Sequence, residues 1–230
     1  MTVASACHAG HEFSITNARL PQTCGGCHMG PDHAQLEIWQ ESRHGVVFES
    51  RRDRQHLDTP PDELTAWDMD APTCATCHMS GLGDAPVSHD VGERLTYYLF
   101  APISKKRPGA LSNRQRMQQI CFNCHAKTRI EKFYTQAEGS IPETNAKVAA
   151  ARALYDSLKA EGRLSPGKFD EPADFIMFDL WHHYGRTAKH GSFMGGADYV
   201  QWHGNYEIER AMMELKEIAK ERRKHRGRRR

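Results

Sequence analysis

Seven cysteines and fourteen histidines are the residues of this 230-residue chain best able to do chemistry, and six of the cysteines share one context. Cys24-Gly25-Gly26-Cys27-His28, Cys74-Ala75-Thr76-Cys77-His78 and Cys121-Phe122-Asn123-Cys124-His125 each set two thiols at C-x-x-C spacing with an imidazole directly after. Such a pair could ligate zinc, cycle as a redox dithiol, or add across the two vinyl groups of a haem. Zinc sites usually combine two C-x-x-C units, and nothing in zinc chemistry makes histidine follow every pair. A histidine after each pair is the signature of c-type haem attachment, with that imidazole as the proximal iron ligand. The spacing predicts three haems c, on Cys24/Cys27, Cys74/Cys77 and Cys121/Cys124, with His28, His78 and His125 as proximal ligands.

The seventh cysteine, Cys7, precedes His8. The pair matches the end of a fourth C-x-x-C-H with Ala4 in the first position. It reads as a damaged or truncated fourth site, which could hold a haem through a single thioether, with His8 as its proximal ligand.

A six-coordinate electron-transfer haem needs a second axial ligand, and histidine is a usual one. Ten histidines remain after the four proximal ones. His44, in Glu41-Ser42-Arg43-His44-Gly45, and His89, in Val87-Ser88-His89-Asp90-Val91-Gly92, each follow a motif after a modest gap and have small neighbours. They are the predicted distal ligands. His11 and His33 lie three and five residues beyond the nearest proximal histidine, too close to reach the opposite face of the same haem. If they ligate, they ligate a neighbouring one. His225 falls in a basic tail and reads as solvated.

The elements that must position these groups differ along the chain. Mean hydropathy is −0.70, and no run approaches the roughly 18 apolar residues of a membrane helix. The formal charge is +2, yet seven Lys and Arg crowd into residues 222–230, so the rest of the chain is acidic. Basic character confined to a tail argues against nucleic-acid binding. Residues 1–135 hold scattered Pro and Gly and few periodic segments, which suits a loop-rich region packed around haem. Short helices are predicted over 32–42 and 113–120. Residues 136–221 carry helical periodicity and read as a helical bundle. The first segment, over 143–161, places Val148, Ala151, Tyr155 and Leu158 on one stripe. The second, over 172–189, aligns Met177, Leu180, Trp181, Tyr184 and Ala188, and a glycine-rich link over 191–196 follows. The third, over 197–224, aligns Ile208, Ala211, Met212, Leu215, Ile218 and Ala219. That stripe suits an antiparallel bundle or a contact between subunits. Tyr199, His203 and Tyr206 share a face at its start, with Trp202 beside them. Residues 222–230 read as a disordered tail. The fold class is mainly α: a loop-rich, haem-packed c-type cytochrome region followed by a long C-terminal bundle.

The combination resembles the octahaem hydroxylamine oxidoreductase family, which includes hydrazine dehydrogenases. The resemblance lies in Cys24 to His33 followed by Glu41-Ser42-Arg43-His44-Gly45, in Pro72 to Ser80, and most specifically in His190-Gly191-Ser192-Phe193-Met194-Gly195-Gly196-Ala197-Asp198-Tyr199-Val200-Gln201-Trp202-His203-Gly204. It implies eight c-type haems in a mainly helical chain, three associated subunits, and one five-coordinate catalytic haem. In the oxidising members a tyrosine from the neighbouring subunit bonds covalently to that haem; by position in the matching run, Tyr199 is the candidate, ahead of Tyr184 and Tyr206.

The chain resembles only the C-terminal half of that family. Met1 to Ala6 offers neither a basic start nor an apolar core, so no signal peptide is read, although c-type attachment implies export to the periplasm. A fragment, a mis-called start or a split gene would each account for this. The expected function is an oxidoreductase chain passing electrons from hydroxylamine or a similar small nitrogen compound through bis-His haems. The expected partners are further copies in a homotrimer, or a chain carrying the missing haems, and a redox partner cytochrome. A non-catalytic electron-transfer cytochrome and a reductive enzyme acting on nitrite or hydroxylamine are the alternatives.

Overall fold

The computed structural model describes residues 3–8 and 12–224. Seven helices lie before residue 123: α1 (Val3–Cys7), α2 (Ile15–Arg19), α3 (Pro21–Gly25), α4 (Gln35–Glu41), α5 (Arg43–Ser50), α6 (Cys74–His78) and α7 (Ala110–Phe122). Most are one or two turns long. Each needs a local device to start, because so short a helix gains little from propagation. Ser14 caps α2 by accepting from the Asn17 N–H at 3.1 Å, and Pro21 opens α3 at a position where its missing N–H costs nothing. Ser42 ends α4 and caps α5, its Oγ accepting from the Gly45 N–H at 3.3 Å. Gly45 is required there: a Cβ would stand 2.1 Å from the Trp39 carbonyl oxygen. Its smallness serves the α4–α5 corner. No strand forms among the described residues, only isolated bridges at Leu82–Ala85 and Tyr97–Lys106.

The C-terminal part begins earlier than its periodicity suggests. Helix α8 (Lys127–Ala160) runs unbroken through Pro142, where the sequence reading starts a new segment. A proline inside a helix costs about 3 kcal/mol. It is tolerated because Pro142 faces solvent while Ile130, Tyr134, Ala137, Ile141, Thr144, Val148, Ala151 and Leu158 form one buried stripe on either side of it. Burying Ile141 and Val148 alone offsets that cost, at about 1.5–3 kcal/mol each. The division at residues 135 and 136 thus lies inside a helix.

Helix α9 (Pro172–Asp179) passes through a π-helical turn (Leu180–Tyr184) into α10 (Gly185–Met194), so the expected link over 191–196 is helical as far as Met194. Gly195, with φ of 72°, makes the stop. Helix α11 (Ala197–Val200) likewise passes through a π-helical turn (Gln201–Tyr206) into α12 (Glu207–Lys224). Every residue of the three sequence stripes is in the resulting core or packed against it. The α12 stripe is therefore consumed within the chain, which removes it as a contact between subunits. The tail expectation is corrected too. Arg222 and Arg223 belong to α12 and pair with Glu171 and Glu161 at 2.7 and 2.5 Å; 225–230, with His225, lie outside the described residues. No helix among the described residues is long and apolar enough to cross a membrane.

The apolar core is uneven. Thirteen buried residues make the C-terminal cluster, all between Val148 and Ala219. The two clusters before residue 123 have four and three buried members. Seven short helices cannot be held on so little apolar area, since conformational entropy scales with every ordered residue. An apolar group of another kind would supply the rest.

Candidate haem-binding site

Each motif winds its first thiol and its imidazole onto one helical turn. The His28 N–H donates to the Cys24 carbonyl and the His125 N–H to the Cys121 carbonyl, both at 2.9 Å. Cys74 to His78 is itself helix α6. Residues i and i+4 share a face, so thiol and imidazole project together. Helix α6 is held hardest: Thr73 and Thr76 are both buried, and the Thr73 and Thr76 side chains each accept the other's backbone N–H, at 3.3 and 3.1 Å respectively. Arg94, buried beneath, donates to the carbonyls of Cys77, Ser80 and Pro86 at 2.9, 2.9 and 2.7 Å.

The three motifs meet. The Cys24 and Cys74 thiols lie close enough to perturb each other's titration, while Cys77 lies in the electrostatic range of Cys121 and Cys124. The second motif thus stands between the first and third. All seven cysteines are free. Burial pushes the Cys77 thiol up to about 12 and Cys121 to about 11. The Cys24 thiol is instead brought down to about 7 by its neighbour Cys74, so the shifts alone do not separate a redox dithiol from a haem attachment; the histidine after every pair does.

Two imidazoles on opposite sides of one metal, each bonded at about 2 Å, have ring centres about 6 Å apart. His44 faces His125 of the third motif with centres 5.9 Å apart and planes 30° apart. His89 faces His8 with centres 6.4 Å and planes 35° apart, and His8 Nδ1 is buried with no hydrogen-bond partner. Burial, reinforced by the charge of Arg129, lowers both His44 and His125 and favours the neutral, ligating form. The residues present therefore fit a haem, and His8, His28, His78 and His125 with Cys7, Cys24, Cys27, Cys74, Cys77, Cys121 and Cys124 are those that would hold it. Among the described residues no group of three His, Cys, Asp or Glu side chains converges as a bare metal site.

His33 behaves differently. Its ring centre is 6.5 Å from His28, but the planes are 70° apart and its Nδ1 is 2.7 Å from the Asp32 carboxylate. The loop between them closes on itself through the Leu36 N–H to the His28 carbonyl at 3.0 Å. His11 lies outside the described residues. His78 is half-buried, held to about 4 by desolvation with help from Arg94 and His28, and pairs with no other ring among the described residues. Tyr199 is half-buried, its ring stacked on His203 at 4.6 Å. Tyr206 is 52 % exposed and stacks on Trp202 at 5.1 Å.

A group the sequence reading leaves unassigned also gathers here. His190 is half-buried and held to about 3, first by desolvation, then by the charges of Lys189, Arg186, His33 and His28. His182 lies in the field of Asp32 and His33, with its Nδ1 unpartnered. Helix α10 packs on α4 and so carries residues 186–190 back to the first motif. His190 opens the family-like run, but His182, Arg186 and Lys189 precede it, and no motif in the sequence assigns any of them a role.

Thiol pairs on single helical turns, with paired imidazoles beside them, define a multihaem c-type cytochrome. The chain belongs to the family described as "Seven times multi-haem cytochrome CxxCH", whose family model matches residues 2–172. It is 25 % identical over 204 residues to a probable nitrite reductase-hydroxylamine oxidoreductase fusion protein of Kuenenia stuttgartiensis, covering 74 % of this chain and 23 % of that one. Among solved structures, a hypothetical multiheme protein matches with a TM-score of 0.91 at 22 % identity, over 97 % of this chain and 58 % of that one. A chain of the reducing HAO-like protein complex of Kuenenia stuttgartiensis matches with a TM-score of 0.82 at 20 % identity, over 97 % and 60 %. These likenesses bear out the mainly α multihaem fold. The chain spans under a quarter of the curated relative and about three-fifths of the solved chains.

Proposed function

We propose that this chain is an electron-transfer part of a hydroxylamine-oxidoreductase-like enzyme, binding three haems c on its complete motifs and a fourth through Cys7. The observation that carries this reading is the pairing of His44 with His125 and of His89 with His8 at ring separations of 5.9 and 6.4 Å. The bound haem would supply one-electron storage at iron. The chain's own groups hold it by thioether bonds and fill both axial positions. A haem saturated in this way has no open position for a small nitrogen compound, so it conducts and does not transform. The crowding of the three motifs supports a relay through the second one.

Substrate chemistry then belongs to an open haem on another part of the assembly, whether a longer form of this chain or a partner in a complex such as a homotrimer, with a redox partner cytochrome exchanging the electrons. Tyr199, from the family-like run, would serve that haem in an oxidising member. The reductive direction has its own support: one relative is named a nitrite reductase-hydroxylamine oxidoreductase fusion, and one structural neighbour a reducing complex. Haem attachment of this kind supports a periplasmic location.

The test is electron paramagnetic resonance of the haem-loaded chain. His44→Ala and His89→Ala should each convert one low-spin haem to high-spin. Low-spin signals unchanged in both variants would refute the assignment.

A further inference from the structure

Arg186 and Lys189 stand one turn apart on α10, on the same face. Lys189 is wholly buried and Arg186 is 9 % exposed. Lys189 Nζ donates to the Ala101 carbonyl at 2.9 Å and to Ser104 Oγ at 2.7 Å; Arg186 Nε donates to the Phe100 carbonyl at 3.0 Å. That loop is fixed from the other side, where Asn145 of α8 exchanges two hydrogen bonds of 2.9 Å with the Ser104 backbone. These neutral acceptors satisfy donors but do not compensate charge. Both amino groups of the Arg186 guanidinium lack a hydrogen-bond partner among the described residues, and its central carbon lies 5.4 Å from the centre of the Trp181 ring. The one carboxylate whose field reaches Arg186 is Asp32, and it is engaged with His33 at 2.7 Å. No acid acts on Lys189; burial and Arg186 together bring it down to about 8.

Two like charges side by side in the interior are strongly unfavourable without an anion, and lysine is almost never fully buried unless paired. We infer that Arg186 and Lys189 are the counter-charge for the carboxylate side chains of the haem held by Cys24, Cys27 and His28, and that they raise the reduction potential of that haem. The placement follows from α10 packing on α4, directly after the first motif, and from His190 lying in the fields of both the cation pair and His28. The sign follows from charge: reduction adds one electron, and a fixed cation nearby favours the more negative state. The inference rests on haem attachment at Cys24 and Cys27.

The experiment is a spectroscopic redox titration of the haem-loaded chain, with the haem mass on the Cys24–Cys27 peptide measured in parallel. Lys189→Gln keeps a donor for Ala101 and Ser104 but removes the charge; Arg186→Gln does the same at its position. Each should lower one midpoint by about 59 mV, a tenfold change in a one-electron equilibrium, at unchanged haem content. Lys189→Arg should keep the parent midpoints. If Lys189→Gln yields no holoprotein, Arg186→Gln and Lys189→Arg carry the same comparison. Midpoints of Arg186→Gln that superimpose on the parent overturn the inference. So does a parent midpoint that shifts with added nitrite or acetate at constant ionic strength, which would make a free anion the occupant. A Cys24–Cys27 peptide without haem mass overturns the attachment reading instead.

Discussion

A histidine ligates iron only while neutral, and burial favours that form at three of the candidate ligands. His44 and His125 are lowered by burial and by Arg129, and His78 by burial and Arg94. The proximal residues were legible because the motif is local: thiols and imidazole fit on one turn whatever surrounds them. His44 and His89 were legible as ligands from their position, but not their partners, since 5.9 and 6.4 Å pairs form between segments about 80 residues apart. Arg186, Lys189 and His190 could not be assigned at all, because only the tertiary packing of α10 carries them to the first motif. Tyr199 has its ring covered on one side by His203 and no hydrogen-bond partner for its hydroxyl among the described residues. In the assembled enzyme, Tyr199→Phe should remove any haem-linked peptide seen by mass spectrometry and abolish hydroxylamine oxidation, while the bis-His haems still reduce. Oxidation at the parent rate would make Tyr199 a packing residue and favour the reductive direction.

At the scale of elements, periodicity gave the helices but not their ends. Helix α7 outruns the predicted 113–120, and α4 falls short of 32–42. Pro142 reads as a start signal, yet the stripe from Ile130 to Leu158 carries α8 across it. The two π-helical turns leave no simple sequence mark. Each inserts a wider turn into a continuing helix, at Leu180–Tyr184 and Gln201–Tyr206. Gly204 permits the second to cross α10, where a Cβ would lie 2.7 Å from Ala188 Cβ. The start of α9 is held by buried Asp174. It accepts from the Tyr155 hydroxyl and from the Glu171 and Asp170 N–H groups at 3.2 and 3.3 Å, with Lys159 Nζ at 3.2 Å. Burial alone would raise its pKa; those donors outweigh burial and hold it below the ordinary carboxylate value. A depressed folded-state pKa contributes stability that is present above the unfolded value, about 3.9, and is lost as pH falls through the folded value. Asp174→Asn should cost about 1–3 kcal/mol at neutral pH, read as a lower Tm, and should flatten the loss of stability below pH 4. An unchanged Tm would show that the cluster is not holding α9.

For the molecule as a whole, the uneven core is the main physical fact. The bundle from α8 to α12 has a conventional apolar interior. The region before residue 123 has two small clusters around three converging thiol pairs. Covalently held haem would supply the missing apolar surface there, which explains how a chain of mean hydropathy −0.70 can order seven short helices. Low overall hydropathy and the haem-packed character of the first part were legible from composition and periodicity; which apolar residues cluster there was not, because burial is a property of the packed chain. The central claim is that these motifs carry haem, and it is tested most directly by the intact mass of the chain after export and maturation. The mass should exceed that of the polypeptide by at least three haems, with attachment mapped to Cys24/Cys27, Cys74/Cys77 and Cys121/Cys124. A polypeptide mass without haem, in a protein that binds zinc at those cysteines, would contradict the account.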